Sequence, residues 1–108
     1  MDHSLGEFQE LVLLMVAALP NEAYGVSILK NLEKETGKAY NISAVHMALK
    51  RMEEKGFVAS SYGGITNERG GRRKKYYAIT AIGKSVLDKQ YALRTSIYQR
   101  IPKISFDQ

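Results

Sequence analysis

Gly56 to Thr80, GFVASSYGGITNERGGRRKKYYAIT, is the stretch whose reading decides the fold. Before Gly56 the apolar residues recur every three or four positions, and after it the period shortens towards two. Phe57 to Tyr62 and Lys75 to Ile79 therefore read as strands, with aromatic and β-branched side chains suited to a pleated surface. Gly63 to Lys74, rich in glycine and charge, reads as the loop between them. The result is a β-hairpin whose tip is too polar to be core.

Three helices are predicted upstream. Ser4 followed by Glu7 fits a capping box, opening a helix from Leu5 to Leu19 that is polar at Glu7, Gln9 and Glu10 and apolar nearly all round from Leu11. Such a helix is either central in the core or shared with another subunit. Pro20 cannot continue it, and Asn21 can cap a second helix from about Glu22 to Thr36, with Tyr24, Ile28, Leu29 and Leu32 inward and Gly37 as its stop. Asn41 or Ser43 caps a third, with Val45, Ala48, Leu49 and Met52 as its buried stripe, ending at Gly56. Downstream, Thr80 caps a fourth helix that runs through Arg100 or Ile101 to Pro102, with Ile82, Val86, Leu93 and Ile97 on one stripe. At about 1.5 Å per residue it is roughly 30 Å long, more than an 80-residue domain can cover.

The chain has 108 residues, 44% hydrophobic and 25% charged, which fits a single globular domain. Lacking cysteine, it has no disulfide framework, thiolate nucleophile or thiolate-bound metal, and His3 and His46 lie too far apart in sequence to suggest a metal site. The longest apolar run, Leu11 to Leu19, falls well short of the roughly 20 residues that span a bilayer. Its flank is acidic rather than basic, so the expectation is a cytoplasmic protein without a membrane segment. No phosphate-binding glycine loop, nucleophile elbow or spaced carboxylate pair appears, so neither an enzyme nor a cofactor is expected. Net charge is +5, unevenly spread: residues 1–41 carry −3, residues 42–80 carry +5 and the last 28 carry +3. A positive excess confined to the C-terminal two thirds suits one face meant for a polyanion.

Three helices, a basic hairpin and a long helix are the order of a winged helix-turn-helix. In that architecture the third helix enters the major groove, about 12 Å wide, and the hairpin tip, or wing, lies along phosphates or the minor groove. Arg69, Arg72, Arg73, Lys74 and Lys75 put five cations into seven residues, beside Tyr76 and Tyr77. They read either as a phosphate-binding wing or as a loop kept charged for solubility. On the third helix, Ser43, Ala44, His46, Met47 and Lys50 lie away from the apolar stripe, with Arg51 on the same outer side. Serine and lysine can bond base edges, and alanine and methionine can meet thymine methyls. His46 reads equally as a base contact or as a surface histidine packed on a neighbouring helix. A winged helix used only to bind protein would carry an uncharged or acidic wing, and a single-strand RNA reader would need exposed aromatic platforms, whereas these tyrosines fall mostly at packing positions.

Several segments resemble the PadR family of transcriptional regulators: Leu5-Gly6-Glu7 at the start of the first helix, Tyr24-Gly25 at the second, ALKRMEEKGFV at residues 48–58, and GRRKKYYAIT at residues 71–80 followed by Gly83. The likeness spans about residues 5 to 90. It implies a mainly α fold with a small β-hairpin, residues 1–80 forming a winged-helix DNA-binding domain and residues 81–108 a dimerisation helix with a short tail. It also implies a homodimer, with Leu11, Met15, Val86, Leu93 and Ile97 expected at the interface, and repression at an inverted-repeat operator on double-stranded DNA, and it leaves the existence of a small-molecule inducer open. Many members read Gly-Thr-Leu-Tyr where this chain has Ser43-Ala44-Val45-His46, so its base preference is expected to be its own. The C-terminal part lacks tryptophan, so the aromatic drug-binding pore of some members is not implied.

Overall fold

The computed structural model describes residues 5–63 and 73–106. Within them the order is α1 (Glu7–Ala18), α2 (Gly25–Thr36), α3 (Ile42–Glu54), β1 (Val58–Tyr62), β2 (Lys75–Ile79) and α4 (Ala81–Tyr98). The strands pair antiparallel, with Val58 opposite Ile79, Ser60 opposite Tyr77 and Tyr62 opposite Lys75. This is the expected mainly helical fold with one hairpin.

The core is built where the helical stripes converge. Val12, Leu13 and Val16 of α1, Ile28 and Leu32 of α2, and Val45, Ala48, Leu49 and Met52 of α3 are buried together with Phe57 and Val58. α1 packs on α2, α3, α4 and β2, which explains its nearly all-round apolar sequence. Of its other apolar side chains, Leu11, Leu14 and Met15 line a groove of about 500 Å³ with Leu19 and Leu32.

Several boundaries differ from the sequence reading. The expected capping residue Ser4 lies outside the described residues, and the α1 N-cap is Gly6, without a side-chain bond. α2 starts at Gly25 rather than Glu22, because Asn21 does not cap it. Leu19 to Glu22 form a β-turn, closed by Glu22 N–H donating to the Leu19 carbonyl at 3.0 Å, with Pro20 second and Asn21 third at φ 67°. That is the proline-then-left-handed pattern of a type II turn, a place asparagine tolerates. The cap role passes to Tyr24 and Ser27, the Ser27 hydroxyl accepting from Tyr24 N–H at 3.0 Å. α3 is capped by Asn41, whose side chain accepts from Ser43 N–H at 2.7 Å. β1 starts one residue late because Phe57 is fully buried beneath the hairpin.

The predicted stripe of α4 is buried only at Val86. Gly83, Val86, Leu87 and Gln90 face inward at the i, i+3, i+4, i+7 spacing, while Ile82, Leu93 and Ile97 are exposed. Val86, expected at a subunit interface, is 5% exposed and covered by its own chain. The helix ends at Tyr98, short of Arg100, although single turns continue to Ile101. Only its first half rests on the domain. Gln90 donates to Glu10 at 2.6 Å and Arg94 reaches the same carboxylate at 3.4 Å, after which the helix projects away. None of the helices among the described residues is long and apolar enough to cross a membrane.

The junction where α4 begins is tied by Thr80, whose hydroxyl donates to the Gly56 carbonyl at 2.6 Å and accepts from Gly83 N–H at 3.0 Å. Thr80→Ala removes a cap and leaves a part-buried carbonyl without its donor, so it should cost about 1–2 kcal/mol. Leu49→Ala, which opens a cavity at the centre of the core, should cost about 2–5 kcal/mol. Urea denaturation of both variants against the parent gives the comparison.

Candidate nucleic-acid interface

α3 is divided cleanly by its own periodicity. Val45, Ala48, Leu49 and Met52 are buried, so positions 43, 44, 46, 47, 50 and 51 are turned to solvent. Ser43, Ala44, His46, Met47, Lys50 and Arg51 are all exposed, Met47 by 56%. Because Asn41 supplies the cap, the Ser43 hydroxyl is not used for capping.

The hairpin stands beside this face. Arg73 and Lys74 are exposed at the start of the described part of its second arm, while Arg69 and Arg72 lie outside the described residues. Lys75 is half-buried, with its ammonium 3.7 Å from the Glu53 carboxylate and 5.7 Å from the Tyr77 ring centroid. Its pKa is held above the ordinary lysine value, chiefly by Tyr77, with partial burial opposing and Glu53 adding to the effect. Burial raises the Tyr77 phenol above its usual value, while Lys75 pulls the other way. The structure thus brings Lys75 alongside Lys50 and Glu53 of α3, whereas the Lys74 ammonium lies over Tyr24 on the side towards α2 and Arg73 is exposed.

Tyr76 and Tyr77 are not a free aromatic surface. Tyr76 meets Tyr24 edge to face at 5.5 Å between ring centroids, and Lys74 sits 4.4 Å above the Tyr24 ring. Tyr77 N–H donates to the Ala23 carbonyl at 2.8 Å, which fastens β2 to the turn before α2. Ser27, Glu53 and Ser60 join these elements and were not singled out by sequence reasoning, whereas Tyr24 was read only as an inward residue of α2. The only signal for them is the two-residue alternation of the hairpin, which places Ser60, Tyr77 and Lys75 on one side and Tyr76 on the other.

His46 reaches across to α2. A Cβ added at Gly25 would overlap its Nε2, so the imidazole lies against the first residue of that helix while the residue as a whole remains exposed. The packed alternative for His46 therefore has a specific partner, and glycine at 25 is what lets α2 and α3 approach there. Gly25→Ala should displace the ring rather than the backbone. The expected outcome is a shifted imidazole resonance of His46 with a stability loss of about 1 kcal/mol, recovered in part when His46→Ala is added, as judged by NMR and denaturation.

Comparison with known proteins agrees with this geometry. The family model described as the transcriptional regulator PadR-like family matches residues 13–89. A crystal structure of a PadR family transcription regulator from Clostridium difficile is 29% identical, with a TM-score of 0.69 over 87% of this chain and 93% of that one. A PadR family transcriptional regulator from Eggerthella lenta is 26% identical, with a TM-score of 0.66 over 86% of this chain and 80% of that one. An uncharacterized protein from Lysinibacillus sphaericus is 28% identical over 86 residues, covering 78% of this chain and 74% of its own length. The family match runs from the middle of α1 to the middle of α4 and so takes in all of α3 and the hairpin; the chain belongs to the PadR-like family of transcriptional regulators, and is by that membership a DNA-binding regulator of transcription.

Proposed function

We propose that the protein is a dimeric repressor that reads an inverted-repeat operator with α3 in the major groove while the wing binds the phosphate backbone. The observation that carries the reading is the division of α3: one face is buried to the last side chain, and the other presents Ser43, Ala44, His46, Met47, Lys50 and Arg51 next to a cationic hairpin. In this reading Lys50 and Ser43 supply hydrogen-bond donors to base edges and Met47 supplies an apolar contact, whereas Arg73 and Lys74 neutralise phosphates without reading sequence. His46, packed on Gly25, has less freedom to follow a base and serves to set α2 against α3.

Two-fold pairing is supported by the unfinished surfaces of α1 and α4. Leu93 and Ile97 are 62% and 49% exposed, and Leu11, Leu14 and Met15 line an open groove. The first 41 residues are net acidic and the last 28 net basic, which suits the C-terminal helix of one copy lying on the N-terminal helix of another. Leu93→Asp with Ile97→Asp should then dissociate the assembly, because the new carboxylates would be buried unpaired. Sedimentation equilibrium shows this as a fall from two chains to one, and a monomeric parent at micromolar concentration would refute the pairing.

Selection of bound fragments from random double-stranded DNA tests the reading as a whole. Enrichment of an inverted repeat with half-sites about one helical turn apart is expected, and no enrichment would leave a protein-binding module as the better account. On the selected sequence, Lys50→Ala should cost about 1–3 kcal/mol and relax preference at one base pair. Arg73→Ala and Lys74→Ala should weaken all duplexes alike, each lowering the salt slope by about one, as followed by fluorescence anisotropy across a salt series.

A further inference from the structure

Glu53, at the last turn of α3, joins both strands of the hairpin to that helix. Its carboxylate accepts a hydrogen bond from the Ser60 hydroxyl of β1 at 2.5 Å through Oε2, and Oε1 lies 3.7 Å from the Lys75 ammonium of β2. Ser60 and Tyr77 are direct cross-strand partners, and Lys75 lies two residues before Tyr77 on the same side, so one carboxylate meets both strands on one face of the hairpin.

The location of this contact gives it leverage. At its base the hairpin is fixed by buried Val58 and by Thr80 bonding the Gly56 and Phe57 carbonyls. On the side towards α2 it is fixed by Tyr77 N–H to the Ala23 carbonyl and by the Tyr24–Tyr76 ring contact. Towards α3 the outer half instead faces an open cleft of about 370 Å³ lined by Lys50, Glu53, Glu54, Lys75 and Tyr77. Glu53 spans that gap. Lys50 lies one turn earlier on the same side of the helix, so whatever sets the distance between Glu53 and the hairpin also sets Lys50 against the wing cations.

A carboxylate here has a cost. Residues 42–80 are net cationic, and an anion among them weakens attraction to any polyanion. A strut whose hydrogen bond and ion pair hold the wing at one angle offsets that loss only where the angle matters, that is, on the correct sequence.

We propose that Glu53 is a positioning residue that holds the wing at a fixed angle to α3 and so raises discrimination between operator and random DNA while lowering affinity for random DNA. The proposal rests on reading α3 and the wing as the DNA-contacting surface. It makes an unusual demand, since removal of Glu53 should move specific and nonspecific affinity in opposite directions.

Three variants separate the parts: Glu53→Ala loses both contacts, Glu53→Gln keeps an acceptor for Ser60 but loses the charge, and Ser60→Ala loses the hydrogen bond with every charge retained. Hydrogen exchange of the DNA-free protein should show faster exchange in β1 and β2 for Glu53→Ala and Ser60→Ala, with α3 protected as in the parent. Anisotropy on the selected operator and on a random duplex should show the ratio of affinities falling about tenfold in Glu53→Ala, as for loss of one charge-assisted hydrogen bond, with operator affinity lower and random-duplex affinity higher. Ser60→Ala should lower the ratio without changing random-duplex affinity, and Glu53→Gln should restore most of the ratio. Unchanged exchange in the hairpin, an unchanged ratio, or both affinities falling in parallel in Ser60→Ala would overturn the proposal. If the parent selects no operator, the DNA-reading surface fails independently, and the exchange data alone decide whether Glu53 holds the hairpin.

Discussion

The crossing of α4 over the turn between α3 and β1 is the constraint on which the remaining geometry depends. Gly83 lies against the Phe57 carbonyl so closely that a Cβ would overlap the oxygen. Thr80, three residues earlier, bonds the Gly56 and Phe57 carbonyls with its hydroxyl and receives Gly83 N–H in return. Three elements meet in that space: the end of α3, the base of the hairpin and the start of α4. Gly56, at φ 81°, makes the turn that lets Phe57 drop into the core beneath them. A side chain at 83 would lift α4 away, expose Phe57 and loosen the base of the wing together.

From that junction two surfaces diverge. In one direction lie α3 and the hairpin, with the apolar stripe of α3 locking its rotation so that Lys50 and Met47 cannot turn inward. The hairpin stays in place because its two faces are used for different contacts, tyrosine against tyrosine towards α2 and serine and lysine against a carboxylate towards α3. In the other direction α4 leaves the domain after Gln90 and Arg94 have been tied to Glu10, and it carries exposed Leu93 and Ile97 into solvent. The molecule measures 60 × 37 × 21 Å, its long axis reflecting a helix that has outrun its own core.

Separation of charge follows the same division. Acidic side chains concentrate in the first 41 residues and basic ones from residue 42 onward. Glu10 and Glu53 are used locally, one bonded to Gln90 and Arg94 of α4 and the other to Ser60 and Lys75 of the hairpin, while Arg73 and Lys50 are exposed.

Elements with a strong local cause were legible in the sequence: the Val45, Ala48, Leu49 and Met52 stripe, the β2 strand, the Thr80 cap, and Gly37 as a left-handed helix stop. The outward face of α3 was legible for the same reason, since it follows from periodicity. Misplaced features were those where two local choices are nearly equal. Asn21 is as good in a turn as at a cap, and Pro20 ahead of it tipped the balance towards a type II turn, moving the start of α2 by three residues. On α4 the stripe held at Val86 and failed at Ile82, while Leu93 and Ile97 are exposed because the helix runs past the domain that covers its first half. Composition and period thus determined by themselves which segments form helix or strand and where the positive charge lies. Only the tertiary structure decided which of the exposed residues are bound to one another, Glu53 with Ser60 and Lys75, His46 with Gly25 and Lys74 with Tyr24, because those contacts depend on the angles between elements, and those angles are set by close packing across the whole core.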